Sequence, residues 1–95
     1  MENIKIVNMK SGEPYDVYIG RGSIWGNPFK IGIDGNREEV IKLYARWILK
    51  QNDLMEKIPT LKDKTLGCYC KPLDCHGDVL IELYNLITGI NKIWI

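Results

Sequence analysis

The three cysteines and the single histidine of this chain lie within one short segment, residues 65–80. They are Cys68, Cys70, Cys75 and His76. The residues around them predict a strand, a tight loop and then a helix. The N–H groups at the start of a helix have no partner within the helix, and they attract phosphate or carboxylate. The segment therefore predicts a ligand site at this strand–helix junction.

In the first interpretation of the junction, it binds an anion. The backbone from Cys75 to Gly77 and the ring of His76 would donate hydrogen bonds, and Gly77 would let the ligand approach the backbone closely. Asp78, in the first turn, would interact favourably with the helix dipole. We favour this interpretation because helix N-termini often bind anions, although most of them are simply capped.

Two other interpretations concern the sulfur atoms. Cys68, Cys70, Cys75 and His76 would supply four zinc ligands, although their C-x-C-x4-C-H spacing departs from that of common zinc knuckles. Alternatively, Cys75 would be a nucleophile whose pKa is lowered by the helix start. The simplest alternative is that Cys68 and Cys70 are small buried side chains on a core strand.

A second group of ligand-type residues occupies a loop over residues 20–30. Glycines there permit close backbone approach, an arginine matches phosphate, and aromatic rings offer faces for a base. Serine and asparagine side chains would orient a ribose or a base edge. The alternative is a loop that wraps the core and buries both aromatic rings. The residues assigned to the ligand from this loop are Arg21, Gly22, Ser23, Trp25, Asn27 and Phe29.

Secondary structure follows from apolar periodicity and capping signals. Asn36 and Glu39 form a capping-box pattern ahead of an amphipathic helix whose apolar side includes Tyr44 and Trp47. Gly89 predicts the end of the last helix. The predicted strands span 4–9, 15–19 and 66–70, and the predicted long helices span 37–50 and 77–88. Residues 52–57 are expected to form one short turn that stops near Pro59, and residues 93–95 a final strand or a packed tail.

Strands that alternate with helices predict an α/β fold. We expect one domain, residues 1–95, built as a small sandwich with a partly parallel, Rossmann-like sheet in which strand 66–70 is central. A chain of 95 residues has a modest core, so two copies sharing a pocket in a homo-oligomer would be an advantage.

Net charge and composition argue against several classes of protein. A net charge of +1 argues against a nucleic-acid coat or a membrane-surface protein. The apolar runs are too short to cross a bilayer, and the first residues do not resemble a signal peptide. We therefore expect a cytoplasmic protein with reduced thiols, which an odd cysteine count also favours.

Two segments give the chain a resemblance to a catalogued family of small bacterial and phage proteins, domain of unknown function 4326. The first segment spans residues 18–29 and contains Gly20-Arg21-Gly22-Ser23, and the second spans residues 66–80 and contains Cys75-His76-Gly77-Asp78. The resemblance covers most of residues 3–87. It implies a bacterial or phage source and marks the loop and the junction as the two defining parts.

We expect these two parts to form one pocket for a small phosphorylated, nucleotide-type ligand, without a cofactor. If the source is a phage, the protein would act in the host cytoplasm and sequester a nucleotide signal of host immunity. An enzyme that cleaves a nucleotide or N-glycosidic bond, with His76 or Asp78 as acid–base group, is the first alternative. A zinc-stabilised interaction module is the second. We favour binding over catalysis because no obvious catalytic set is present.

Overall fold

The structure is a computed structural model that describes residues 4–70 and 73–93, with side chains through residue 89. Its strands are β1 (Lys5–Asn8), β2 (Val17–Tyr18) and β3 (Thr65–Cys68), and its α-helices are α1 (Arg37–Ile48), α2 (Asn52–Lys57) and α3 (His76–Ile93). Two 3₁₀ turns, Met9–Ser11 and Ile58–Leu61, complete the regular structure of the described residues. Among these residues, no helix is both long enough and apolar enough to cross a membrane.

The three strands form one parallel sheet in the order β1-β3-β2. Strand β3 is central, as predicted, and it is buried along most of its length because neighbours cover both of its edges. A mixed helix and strand fold with parallel pairing is confirmed. The sheet is parallel at both pairings, and the observed strands are shorter than the predicted ones at the ends that run into loops.

The capping box at the start of α1 forms as predicted. The Asn36 side chain accepts a hydrogen bond from the Glu39 N–H, and the Glu39 carboxylate accepts one from the Asn36 N–H, each at 2.9 Å. Tyr44 and Ile48 are fully buried on this helix, and Trp47 packs against the core from a half-buried position. The start and the orientation of α1 are therefore set by its own sequence.

The end of α3 differs from the prediction. The helix continues through Gly89 to Ile93, so Gly89 is an interior residue of the helix rather than its terminator. A glycine ends a helix when it adopts a left-handed conformation, and Gly89 is not among the residues with positive φ. The strand or tail predicted for residues 93–95 begins on the last residue of α3, and its other two residues lie outside the described part.

The core lies where α1 and α3 meet the central strand. Its fully buried members include Leu66 from β3, Tyr44 and Ile48 from α1, and Leu80 from α3. Ile19, directly after β2, is also fully buried. This core fixes β2, β3 and the start of α3 against one another, and these are the elements that the predicted pocket requires.

Candidate functional site

A pocket of about 690 Å³ opens at the carboxyl ends of β2 and β3. Parallel strands end at the same edge of a sheet, and ligands of open α/β folds bind beyond that edge. The volume falls within the range of small-molecule sites. The residues that line the pocket come from the ends of β2 and β3, the loop before α1, and the first turns of α1 and α3. They are Tyr18, Gly20, Arg21, Asn27, Phe29, Lys30, Ile31, Ile33, Arg37, Val40, Ile41, Cys68, Tyr69, Cys70, Asp74, Cys75 and His76.

The two predicted walls meet in this pocket. Arg21 and Phe29 line it from the glycine-rich loop, and Cys75 and His76 line it from the start of α3. The guanidinium of Arg21 lies near enough to His76 to act on the pKa of its ring. The spatial requirement of the predicted pocket is therefore met within a single chain.

Three cationic side chains line the pocket against one carboxylate. Arg21, Lys30 and Arg37 come from three different points of the chain, and Asp74 is the acidic lining residue. Within the described residues, none of the three cations forms an ion pair with a carboxylate. Arg37 donates to the backbone oxygen of Asp74 at 3.0 Å, which orients its guanidinium without neutralising it. The pocket therefore carries excess positive charge although the chain is almost neutral.

The aromatic wall differs in part from the predicted one. Phe29 lines the pocket, but Trp25 is only 4% exposed and belongs to the core cluster. The Trp25 backbone oxygen accepts a hydrogen bond of 2.8 Å from the buried Tyr44 hydroxyl. The ring of Trp25 is thus a core side chain, as the alternative interpretation of the loop states, and it offers no face to a pocket ligand.

Two tyrosines supply the aromatic rings of the pocket that the sequence analysis had assigned to Trp25. Tyr18 at the end of β2 and Tyr69 just after β3 both line the pocket. Their rings meet edge to face, with centroids 6.3 Å apart. Tyr69 remains 56% exposed, so its ring is accessible from the solvent. Sequence reasoning missed these two because each was assigned only to a strand.

Several residues of the loop hold its shape. The Ser23 hydroxyl donates to the Gly20 oxygen at 2.7 Å, and Gly22 has a φ of +94° that favours glycine. Neither residue lines the pocket. Asn27 does line it, but its amide nitrogen donates to the Val40 oxygen at 3.1 Å and its oxygen accepts from the Phe29 N–H at 2.9 Å. These side chains position Arg21 and Phe29 in the structure.

His76 joins the two walls. Its Nε2 lies 2.6 Å from the Ile19 carbonyl oxygen, and its ring packs edge-on against Tyr44, with centroids 5.0 Å apart. Burial lowers the pKa of His76 below its ordinary 6.5. The hydrogen bond to the Ile19 carbonyl and the charge of Asp78 raise this pKa by less, and the charge of Arg21 has the smallest effect and lowers it. A neutral ring whose Nε2–H donates to that carbonyl fits both observations.

The start of α3 satisfies much of its own hydrogen bonding. The Asp78 carboxylate accepts from the Cys75 N–H at 3.1 Å. Gly77 is buried, and a Cβ on it would lie 2.8 Å from the side chains of Ile6 and Ile19. Gly77 and Asp78 do not line the pocket. The predicted backbone cradle therefore stays a prediction for Cys75 and His76, which line the pocket, whereas Gly77 packs against core side chains.

The two interpretations based on sulfur chemistry lack geometric support. No group of three or more metal-ligating side chains converges within residues 4–70 and 73–93. Burial, helped by the neighbouring Cys68, raises the pKa of the Cys75 thiol to about 12, opposite to the lowered value that a nucleophile needs. Both Cys68 and Cys75 are buried, as the simplest alternative states for Cys68.

Sequence reasoning also missed two of the three cations. Lys30 was taken only as the last residue of the loop, and Arg37 only as the first residue of a helix. The signal that would have found Arg37 is its place in the first turn of α1, because a helix that follows a strand of a parallel sheet starts at the same edge as the ligand.

Comparison with known proteins identifies a family. The model of a domain of unknown function, DUF4326, matches residues 3–86. The chain belongs to this family. It is 43% identical over 90 residues to the uncharacterized protein R718 of Acanthamoeba polyphaga mimivirus, covering 76% of this chain and 68% of that protein.

A second relative comes from a phage. The chain is 36% identical over 86 residues to the uncharacterized 12.4 kDa protein in the nrdA-td intergenic region of Enterobacteria phage T4, covering 85% of this chain and 77% of that protein. No solved structure matches the chain. The DUF4326 match spans both segments that line the pocket, and the two relatives are viral.

Proposed function

We propose that this DUF4326 protein binds a small phosphorylated ligand of the nucleotide type in the pocket at the carboxyl edge of its sheet. The observation that carries the proposal is the trio of Arg21, Lys30 and Arg37, which line one pocket without carboxylate partners among the described residues. Arg37 is half-buried, whereas Arg21 and Lys30 are exposed. Three unpaired cations at one pocket favour an anionic ligand. Arginine forks match phosphate oxygens with two parallel hydrogen bonds.

The rest of the pocket supports the nucleotide part of the proposal. Phe29, Tyr18 and Tyr69 give it flat apolar surfaces beside the cations. Aromatic rings stack on bases without regard to the base's hydrogen-bonding edge, and one stacked base contributes roughly 1–3 kcal/mol. The pocket lies beyond the carboxyl ends of parallel strands, which is where Rossmann-like folds bind nucleotides, and this placement supports a Rossmann-like arrangement of the site.

The biological role we propose is sequestration. One relative comes from a phage and another from a mimivirus, and this origin favours a role inside an infected cell. A small binder can lower the free concentration of a nucleotide signal made by the host, and it needs no catalytic group for this. His76 and Asp78, the candidates for acid–base chemistry, are both engaged in hydrogen bonds that hold the fold.

The test is calorimetric titration with a panel of nucleosides, nucleotides, cyclic nucleotides and ADP-ribose. We expect phosphorylated compounds to bind and the parent nucleosides to bind more weakly. Arg37→Gln should weaken binding about 10- to 100-fold, since a charge-assisted hydrogen bond contributes about 1.5–3 kcal/mol. Arg21→Gln should act in the same direction.

Arg46→Gln is the matched control. Arg46 lies on the same helix as Arg37 but is exposed and outside the pocket. The proposal fails if no phosphorylated compound binds, or if the variants at positions 37 and 46 bind equally well. Chromatography of the ligand after long incubation separates the alternatives: intact ligand supports sequestration, and a cleaved one supports the enzyme.

A further inference from the structure

Two of the three thiols face each other in the interior of the protein. The sulfur atoms of Cys68, the last residue of β3, and Cys75, which directly precedes α3, are 3.6 Å apart. Each side chain is 1% exposed to solvent, yet both line the pocket. A disulfide has a sulfur–sulfur distance of about 2.05 Å, so the two atoms need to approach by only about 1.5 Å.

From this geometry we infer that Cys68 and Cys75 form a site of reversible oxidation and close an intramolecular disulfide at the floor of the pocket. The inference is independent of what the pocket binds. The loop between the two cysteines contains Tyr69 and Cys70, which also line the pocket, and Leu73, which is exposed. Closing the bond would tie the end of β3 to the start of α3 and fix both ends of this loop.

The chemistry balances with a low-molecular-weight disulfide as oxidant. One cysteine, as thiolate, attacks the oxidant's sulfur and releases a first small thiol. The second cysteine then attacks the mixed disulfide and releases a second small thiol. Two S–H bonds break, one protein S–S bond forms, and the oxidant's S–S bond is reduced with the two protons and two electrons that the protein loses.

The environment makes this a slow regulatory site. The pKa of Cys75 is raised by burial, so little thiolate is present near neutral pH, and thiols in such surroundings react slowly. Both thiols border the pocket but are only 1% exposed, so a small oxidant would reach them as the structure opens locally. In a reducing cytosol the bond would form only under oxidative conditions and would reopen afterwards.

The test uses Cys70→Ser, which leaves Cys68 and Cys75 as the chain's two cysteines. The folded variant is equilibrated with defined ratios of oxidised to reduced glutathione, quenched, alkylated and weighed by mass spectrometry. We expect a monomer that has lost two hydrogens and takes up no alkylating agent. Its Tm should rise by several degrees, because the crosslink restricts the unfolded chain.

A parallel equilibration in urea shows whether the disulfide forms because the fold aligns the two sulfur atoms or only because the two cysteines are close in sequence. If the fold aligns the two sulfurs, the folded variant should form the bond at a ratio of oxidised to reduced glutathione at least about tenfold lower than the unfolded variant. Equal or poorer formation in the folded protein overturns the inference, as do stable glutathione adducts or crosslinked dimers.

The wild-type protein gives a second measurement that needs no substitution. Cleavage after Tyr69 and Leu73 places the three cysteines on separate peptides. After oxidation of the folded protein, we expect the peptide with Cys68 to be linked to the peptide with Cys75. A link that involves Cys70 instead overturns the assignment.

Discussion

At the scale of single residues, His76 shows how one side chain serves both the fold and the pocket. Its hydrogen bond to the Ile19 carbonyl connects the loop after β2 to the start of α3. The same loop carries Arg21, two residues further along. Through this hydrogen bond, His76 holds the loop that carries Arg21 at the pocket. Because its ring is neutral, it adds no second positive charge beside Arg21.

This arrangement predicts an acid-sensitive stability. The pKa of His76 is lowered by burial in the folded protein, while the unfolded chain has the ordinary value of 6.5. The unfolded state then binds the proton more readily, so the contribution of His76 to stability is present above about pH 6.5 and is lost as the pH falls below that value. One such proton changes the free energy of unfolding by at most about 1.4 kcal/mol per pH unit.

The measurement is the free energy of unfolding in urea at several values between about pH 7.5 and pH 5. His76→Gln is the comparison, because a glutamine amide can still donate to the Ile19 carbonyl but does not titrate. We expect the wild-type protein to lose more stability than the variant over this interval. Equal losses in the two proteins would contradict a neutral, buried His76.

At the scale of secondary-structure elements, α3 is defined by how it meets the sheet. Gly77 packs against Ile6 of β1 and Ile19 after β2, and a Cβ on it would come within 2.8 Å of both side chains. Farther along the same helix, a Cβ on Gly89 would have no heavy atom of the described residues within 4 Å, apart from its chain neighbours and the nearby helix backbone. The two glycines therefore differ in whether packing requires them.

Alanine substitutions at these two positions should have opposite effects. Gly77→Ala should destabilise the protein by about 1–3 kcal/mol, because the added methyl group crowds a packed core. Gly89→Ala should stabilise it by roughly 0.4–1 kcal/mol, since alanine loses less backbone entropy inside a helix. Chemical denaturation of the two variants beside the wild type measures both effects.

The second substitution also tests where α3 ends. If Gly89 ended the helix in a left-handed conformation, alanine there would destabilise the protein instead. A stabilising Gly89→Ala would thus support a helix that runs on to Ile93. A neutral Gly77→Ala would contradict the close packing of α3 against the sheet.

At the scale of the whole molecule, charge is distributed unevenly. The chain as a whole carries +1, but the pocket collects three cations and one carboxylate. The net charge of the whole chain does not reveal this local cluster. An anion in this pocket would feel mainly the local charge, because more distant surface charges are screened by salt.

A salt dependence follows for the proposed ligand. The affinity for a phosphorylated nucleotide should fall several-fold between about 50 and 500 mM sodium chloride, as ions screen the exposed Arg21 and Lys30. The parent nucleoside should show almost no change. Calorimetric titrations repeated across salt concentrations measure this salt dependence of the affinity. Arg37→Gln should make the affinity for the nucleotide less dependent on salt. Equal salt dependence for nucleotide and nucleoside would contradict an electrostatic site.

The sequence by itself determined the local features of this protein. The capping box of Asn36 and Glu39 predicted the start of α1, and strand propensity predicted β3. The glycine-rich loop and the Cys-His junction predicted the two walls of the pocket. These signals act over a few residues, so they can be recognised without knowing the partners of each segment.

Only the tertiary structure decided which side chains face the pocket. Trp25 turned into the core while Tyr18, Tyr69 and Arg37 lined the cavity, because orientation depends on what each loop packs against. The Asp78 carboxylate accepts the hydrogen bond of the Cys75 N–H, a contact that depends on the backbone geometry of the folded turn. The contact between Cys68 and Cys75 likewise exists only once β3 and α3 are docked, since packing of separate elements sets it.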